Sequence, residues 1–508
     1  MVTVADKVRS GELTAPPLEP RWATAVISAL AVLAVASRFF FWYYTRRTWE
    51  DALITVQHAE NAARGLGLTH APGGPLVHGF TSPLSVLIPL LGEWIHPDFG
   101  MSVLKAVSAV SGGLTVWLAM RISQRLRLAF PITLLIGGYL AIEHQQILFG
   151  MAGMETQIAV TILLFSIYSL FDLKPILVGT SLGLCLLARP DFGFWVVIVV
   201  ALVGWRCWND RDWRLMETVL LALLLIYGPW LAFTTWYYGS PLPNTVLAKA
   251  WGFGNWYAGL SRSAFVWLLW NRIRYMFAIL GPAYGGNGTG FSFFAFDPNG
   301  LISCAVLLLA LIGVMVALRD KTLASLAIGG FFVAYSIYYL FLVSVVALWY
   351  CIPLAAIAVL AAGIGWNTVI NASFSPRWRS IAGYTVAIAY LASLAVIIPA
   401  TFRAEKNVQA FVEDGVRKKV GLYLAGVMRP EETIGCEPLG YIGYYSRHVV
   451  FAYPGMCNRQ VAWFLRDHPD RRNLLDMLDH FRPDYVVLRP NEYQAKCISV
   501  DEFPSKTR

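Results

Sequence analysis

Residues 22–44 read WATAVISALAVLAVASRFFFWYY, and the chain continues at 45–57 as TRRTWEDALITVQ. A cleaved secretory signal has an apolar core of roughly 7–15 residues and a small-residue cleavage site. This run is too long for that and reads as a retained membrane span. The rest of the chain agrees. Of 508 residues, 57% are hydrophobic and 14% charged, against about a quarter charged in a soluble domain. That composition excludes a soluble enzyme, a disordered chain and a fibrous one. Aromatics reach 14%, with 19 Trp, which suits rings placed at two membrane–water boundaries.

Ten further spans are expected near 101–120, 130–149, 157–171, 175–188, 192–205, 215–236, 300–318, 323–343, 346–366 and 381–400, about eleven in all. Lys and Arg orient them. With the N-terminus inside, the inner segments carry Lys7, Arg9 and Arg21; Arg121, Arg125 and Arg127; Lys174; Arg206, Arg211 and Arg214; Arg319 and Lys321; Arg377 and Arg379. An odd number of spans then leaves the C-terminal tail outside. The expected organisation is a cytoplasmic segment at 1–21, a membrane domain at 22–402 with long outer loops at 45–100 and 237–299, and an extracytoplasmic unit at 403–508. The apolar stretch 83–94 is too short to span and reads as a re-entrant or interfacial helix.

The tail differs in composition. Residues 403–508 hold 16 Lys/Arg and 14 Asp/Glu, and the preceding 402 hold only 24 and 17. It reads as a small α/β domain, with strands at 441–445, 449–453 and 485–488 and helical periodicity at 404–425 and 459–480. Four Cys fall in the spans (Cys185, Cys207, Cys304, Cys351) and three in the tail (Cys436, Cys457, Cys497). An oxidising outer face permits a disulfide between two of the tail Cys. The net charge of +9 sits mostly in the body and forms no basic stripe, so no nucleic-acid partner is expected.

The unusual polar residues of the body fall on the outer side. Glu50 and Asp51 follow the first span and open a stretch, 52–64, with small apolar residues at 52, 56, 59 and 63. That spacing suits an amphipathic helix lying at the interface. A helix N-terminus explains the acids, with Thr48 as cap and Asp51 closing a capping box. A carboxylate held at the membrane surface as a general base explains them too. The next segment, 65–83, is rich in Gly, Pro and Thr and carries His70, His78, Thr81 and Ser82, as a loop or as the lining of a substrate site.

Gly153-Met154-Glu155-Thr156 places a carboxylate at the start of a span, and Arg189-Pro190-Asp191 places charges between two. Ionisable groups at such depth pair with each other or serve a function. Residues 237–249, YYGSPLPNTVLAK, break a helix as it leaves the membrane and set Lys249 near the headgroups, where snorkelling alone would explain it. No Walker loop, zinc-protease motif or nucleophile elbow occurs. The acidic pair offers oxygen ligands for a divalent cation, with no ligand count to define a metal site.

Glu50-Asp51-Ala52-Leu53-Ile54, Ala59, Asn61-Ala62, Gly65, Gly67-Leu68, Pro72-Gly73, Gly79 and Thr81-Ser82-Pro83-Leu84 together resemble a motif string of polytopic bacterial glycosyltransferases. They are similar to the mycobacterial terminal β-(1→2)-arabinofuranosyltransferase family. Gly-Met-Glu-Thr at 153–156, Arg-Pro-Asp at 189–191, Pro-Leu-Pro-Asn-Thr at 241–245 with Lys249, and Pro-Asp-Tyr-Val-Val at 483–487 follow in the same order, so the resemblance runs from about 45 to 490. The family often shows two Asp where Glu50-Asp51 stands, and Arg-Tyr where Gln57-His58 stands.

The resemblance implies a GT-C fold and inverting transfer of a sugar from a polyprenyl-phosphate donor to an envelope glycan or lipid acceptor. That reaction belongs at the outer face of the plasma membrane. It implies Asp51 as catalytic base and Glu50 as second carboxylate or alternate base. It also implies donor-phosphate or sugar contacts from Arg189, Lys249, Glu155, Asp191, Asn244, His78 and Thr81, with Arg262, Arg272 and Arg274 as further cations. The alternatives are a transporter or flippase of lipid-linked sugars, which would favour internal repeats and helices broken at the midplane, and a non-catalytic assembly protein that uses the tail to bind glycan.

Overall fold

The computed structural model describes residues 21–253, 257–282, 300–489 and Glu492. Lys7, Arg9 and Cys497 lie outside the described residues. Helix α1 (Arg21–Thr45) covers the opening stretch. At 1.5 Å per residue it extends about 37 Å, more than the roughly 30 Å of hydrocarbon. There follow α2 (Glu50–Ala63), α3 (Leu84–Ile95), α4 (Gly100–Arg125), α5 (Phe130–Ile142), α6 (His144–Met151), α7 (Thr156–Asp172), α8 (Pro175–Ala188), α9 (Gly193–Asp210), α10 (Trp213–Tyr238), α11 (Asn244–Phe253), α12 (Arg262–Phe277), α13 (Leu301–Arg319), α14 (Leu323–Ile337), α15 (Leu348–Ser373) and α16 (Pro376–Asn407).

Among the described residues, eight helical segments are long and apolar enough to cross a membrane, or nine if α6 and α7, which meet at 112°, form one bent span. The eleven expected from sequence exceed that number for identifiable reasons. The stretch 130–149 is broken at Glu143, whose carboxylate accepts from the N–H groups of Gln145 (3.0 Å) and Gln146 (2.8 Å) and caps α6. Helix α8 has only 14 residues, about 21 Å of rise. Helix α3, not counted among the eleven, is too short to span, as expected, and carries Pro89.

One apolar core runs through most of the bundle, from Ile27 and Phe41 of α1 to Ala358 of α15 and Tyr390 of α16. Helices α13 and α15 meet at Gly313 and Gly365, where a Cβ would strike the backbone of the facing helix. Small residues let the two backbones approach.

The last helix, α16, continues through wide π turns (Val408–Arg417) into α17 (Lys418–Val427), so the rod that ends the bundle also begins the tail. The tail then forms β1 (Thr433–Cys436), α18 (Leu439–Ser446), β2 (Val449–Ala452), α19 (Arg459–Asp467), α20 (Leu474–Phe481) and β3 (Tyr485–Val487). Its sheet is parallel in the order β2-β1-β3, with Ile434 opposite both Val450 and Tyr485. Two of the expected strands are present. The expected strand at 441–445 is instead helix α18: parallel neighbours need a crossover, and α18 supplies it between β1 and β2. Cys436 and Cys457 are buried and free, so the pair is not a disulfide.

Helix α2 is not laid on a membrane surface. Residues Ala52–Ile54 and Val56–Asn61 are all buried. Ala52 joins the bundle core, Ile54 packs into the core of the tail with Leu424, Ile434 and Ile442, and Ala59 packs with Leu68, Phe80 and Tyr238. The tail and the 65–83 loop enclose the helix that periodicity alone leaves half-exposed.

Candidate functional site

The segment linking α1 to α2 turns at Arg46, whose φ is 55°, and reaches α2 through the extended Trp49. The expected capping box does not form. No side chain caps α2, and the Thr48 hydroxyl accepts instead from Lys105 Nζ (3.0 Å). The Trp49 N–H donates to the Ala152 carbonyl (2.8 Å). This bond sets the Gly-Met-Glu-Thr turn directly against the start of α2. Gly153 has φ +90°, and a Cβ there would lie 2.6 Å from Met101 Sδ and 3.0 Å from Ala52 Cβ, so both conformation and space require glycine.

The two acids have different surroundings. Glu50 Oε2 pairs with Arg417 Nη1 at 2.8 Å, and Glu50 Oε1 accepts from the Gly440 N–H at 3.3 Å. Burial pushes its carboxyl up to about 8, against the opposing pull of Arg417. Asp51 has no hydrogen-bond or ion-pair partner among the described residues. Burial raises its pKa above the usual Asp value, and the charges of Lys249 and then Arg417 act against that rise.

Lys249, on α11, donates to Tyr350 Oη (2.8 Å). Burial acts to lower its pKa, but the Tyr350 hydroxyl and the Asp51 carboxylate outweigh it and hold the ammonium above its usual value. The same ring meets a second cation, with the Arg189 guanidinium 5.0 Å from the Tyr350 centroid. Arg189 is buried and held by Asp191, at 2.9 Å from both Nε and Nη2, and by Glu155 at 3.3 Å. Tyr335 and Tyr339 donate to Asp191 Oδ2 at 2.7 and 2.6 Å. Arg272 braces the turn beyond α14 by donating to the carbonyls of Tyr339 (2.8 Å), Val343 and Ser344 (3.1 Å).

The fold therefore gathers Asp51, Glu155, Arg189, Asp191 and Lys249 at one end of the bundle, joined through Tyr350. Asn244 and His78 have a different task. The Asn244 N–H donates to the His78 carbonyl (3.0 Å), and its side chain donates to the carbonyls of Gly455 (2.8 Å) and Met456 (3.0 Å) in the tail. The His78 ring stacks on Tyr238 with centroids 4.9 Å apart, and burial lowers its pKa to about 3. Thr81 is half-buried just before α3. Arg262 lies on α12 beside Val266, Trp267 and Trp270 at an open surface hollow. Among the described residues, no group of three or more His, Cys, Asp or Glu stands where it could hold a metal ion.

Tyr335, Tyr339, Tyr350 and Arg417 were not anticipated. Tyr335 and Tyr339 are four apart on one helical face, and buried hydroxyls need partners. That spacing was a readable signal. Arg417 carried none, because its target lies more than 360 residues away in the chain.

Comparison with proteins of known structure places the fold. ArnT from Cupriavidus metallidurans bound to undecaprenyl phosphate is 12% identical and superposes with a TM-score of 0.52, over 92% of this chain and 95% of that one. The fold is GT-C-like. The apo oligosaccharyltransferase of Archaeoglobus fulgidus is 14% identical, with a TM-score of 0.54 over 89% of this chain and 69% of that one. AglB from the same organism, in complex with an inhibitory peptide and a dolichol-phosphate, is 12% identical, with a TM-score of 0.53 over 88% of this chain and 68% of that one. At such identities the likeness is one of fold. A family model described as a domain of unknown function, DUF8728, matches residues 400–508, the tail alone. No curated protein matches the chain by sequence.

Proposed function

We propose that this chain is a glycosyltransferase. It moves a sugar from a polyprenyl-phosphate donor to a glycan or lipid acceptor of the cell envelope, at the outer face of the plasma membrane. The observation that carries the reading is the half-buried carboxylate of Asp51, without a bonding partner among the described residues and set electrostatically against Lys249 at the end of the bundle where Arg189 also lies. The GT-C-like fold supports it, and so does the convergence there of the blocks at 50–54, 153–156 and 189–191 with Lys249, far apart in sequence.

Asp51 accepts the proton of the acceptor hydroxyl as its oxygen attacks the anomeric carbon. The bond from that carbon to the phosphate oxygen breaks, its electron pair leaves with the polyprenyl phosphate, and the configuration inverts. Lys249 and Arg189 stabilise the charge developing on the phosphate. Glu155 and Asp191 keep the guanidinium aimed. Glu50, clamped by Arg417 and Gly440, fixes the start of α2. Asn244 ties the 65–83 loop, through the His78 carbonyl, to the tail at Gly455 and Met456. Residues 22–402 form the catalytic membrane domain, the 1–21 segment is cytoplasmic, and 403–508 is extracytoplasmic. The motif resemblance makes arabinofuranose the first sugar to test.

The experiment is transfer of label from polyprenyl-phosphate sugars by the full chain in nanodiscs. Asp51→Asn is expected to lower the rate by about 10²–10⁴-fold, the range for loss of a general base. Near-native transfer by that variant would overturn the assignment. Movement of the lipid-linked sugar across liposomes with no transfer would make the chain a flippase.

A further inference from the structure

A cleft of about 300 Å³ lies between the outer end of α1, helix α2 and the tail, at the lower end of the usual size for small-ligand sites. Leu53 and Val56 of α2 line it. They sit about 140–160° round the helix from Asp51, so α2 is a wall with the candidate base on one side and this cleft on the other. The opposite wall is Tyr441, Tyr444 and Tyr445 of α18, with Gln409 and Asp414 from the π turns and Arg46 at the rim.

The lining is pre-ordered. Gln409 is buried and accepts from the Thr48 N–H (2.9 Å) while donating to Asp414 Oδ2 (3.0 Å) and the Tyr441 hydroxyl (3.1 Å). The Tyr444 hydroxyl donates to Glu60. Two groups stay available. The Tyr445 hydroxyl has no hydrogen-bond partner among the described residues, and Asp414 uses only one oxygen on Gln409. Tyr445 and Tyr441 stack with centroids 6.0 Å apart, and Lys418 Nζ lies over the Tyr445 ring at 5.1 Å, so the aromatic rings are held in place beside planar polar groups. Arg46 and Asp414 cancel in charge. The tyrosine rings and hydroxyls suit the mixed C–H and O–H surface of a sugar, the planar acceptors match its hydroxyls, and the balanced charge of the lining does not favour an anion.

We propose that this cleft binds a neutral saccharide, one or two rings long, separately from the reacting centre. Its further assignment as part of the acceptor glycan rests on the proposed transfer. The binding itself does not.

The test is titration of the full chain in nanodiscs, without donor, with three probes: a neutral arabinofuranose trisaccharide, maltotriose and trigalacturonate. At least one neutral probe is expected to bind. Tyr445→Ala and the surface change Asp414→Asn, each with a native melting temperature, are expected to weaken it at least tenfold, while Asp51→Asn leaves its Kd within twofold. The proposal is overturned if no neutral probe binds the native chain, if only trigalacturonate binds, if both cleft variants bind as the native does, or if Asp51→Asn abolishes binding. Transfer activity without saccharide binding would sink the cleft and leave the catalytic reading standing. Binding without transfer would do the reverse.

Discussion

Adjacent residues on a helix point about 100° apart, and for Glu50 and Asp51 that angle separates two environments. Glu50 meets Arg417 and the Gly440 N–H, whereas Asp51 meets no bonding partner among the described residues and interacts with Lys249 through space. Their titration should differ accordingly. The folded pKa of Glu50, about 8, lies above its ordinary value of 4.5. Its contribution to docking of the tail is therefore complete below about 4.5 and is lost as pH rises through about 8. The melting temperature of the chain should fall across that window, and Glu50→Gln should flatten the fall; an unchanged slope would contradict it. Asp51 must be ionised to accept a proton, and its pKa is also raised. The acid limb of kcat/KM should thus lie above the ordinary aspartate range, measured as a pH–rate profile on the native chain.

At the scale of elements, the sharp turn between α6 and α7 decides where α2 can start. Gly153 gives that turn its positive φ, and its bare Cα lets Ala52 and Met101 close in. Gly153→Ala is expected to cost about 1–3 kcal/mol through backbone strain, read as a lowered melting temperature, and to reduce transfer as α2 shifts. The sequence did mark this turn as special, through Gly-Met-Glu-Thr before a span. It did not show that α2 itself is enclosed. The small residues at 52, 56, 59 and 63 give a one-sided pattern, yet Gln57, His58, Glu60 and Asn61 are buried too. Each of the four faces the tail or the loop, and a polar side chain buried by a distant element looks exposed to any local count. The same applies to 441–445: aromatic content favours a strand, and the parallel sheet around it demands a helix.

At the scale of the molecule, the tail is fastened to the bundle at several points far apart in sequence. The buried Arg47 bonds Glu405 (2.8 Å) and Glu413 (3.1 Å), Arg447 reaches Glu60 (2.6 Å), and Asn244 holds the 455–456 carbonyls. Removing the Asn244 amide takes the side-chain donor from the part-buried Met456 carbonyl and leaves the Gly455 carbonyl with only the Asn458 N–H (3.2 Å), a cost of about 1–3 kcal/mol. Asn244→Ala should therefore make the tail cleavable by protease at concentrations that spare the native chain, with the bundle itself intact. A tail equally resistant in both would show that the remaining bonds suffice.

The sequence by itself determined that this is a helical membrane protein with a charged α/β tail, that its scarce polar residues form ordered blocks, and that those blocks resemble a glycosyltransferase motif string. Hydropathy, charge bias and local motifs are properties of neighbouring residues, so they survive in one dimension. Only the tertiary structure decided that α2 is enclosed by the tail and the 65–83 loop, that Tyr350 meets both Lys249 and Arg189, and that the tail takes Glu50 while Asp51 has no bonding partner among the described residues. Each of these depends on contacts between residues far apart in the chain, and the burial and charge pairing that such contacts create have no local signature.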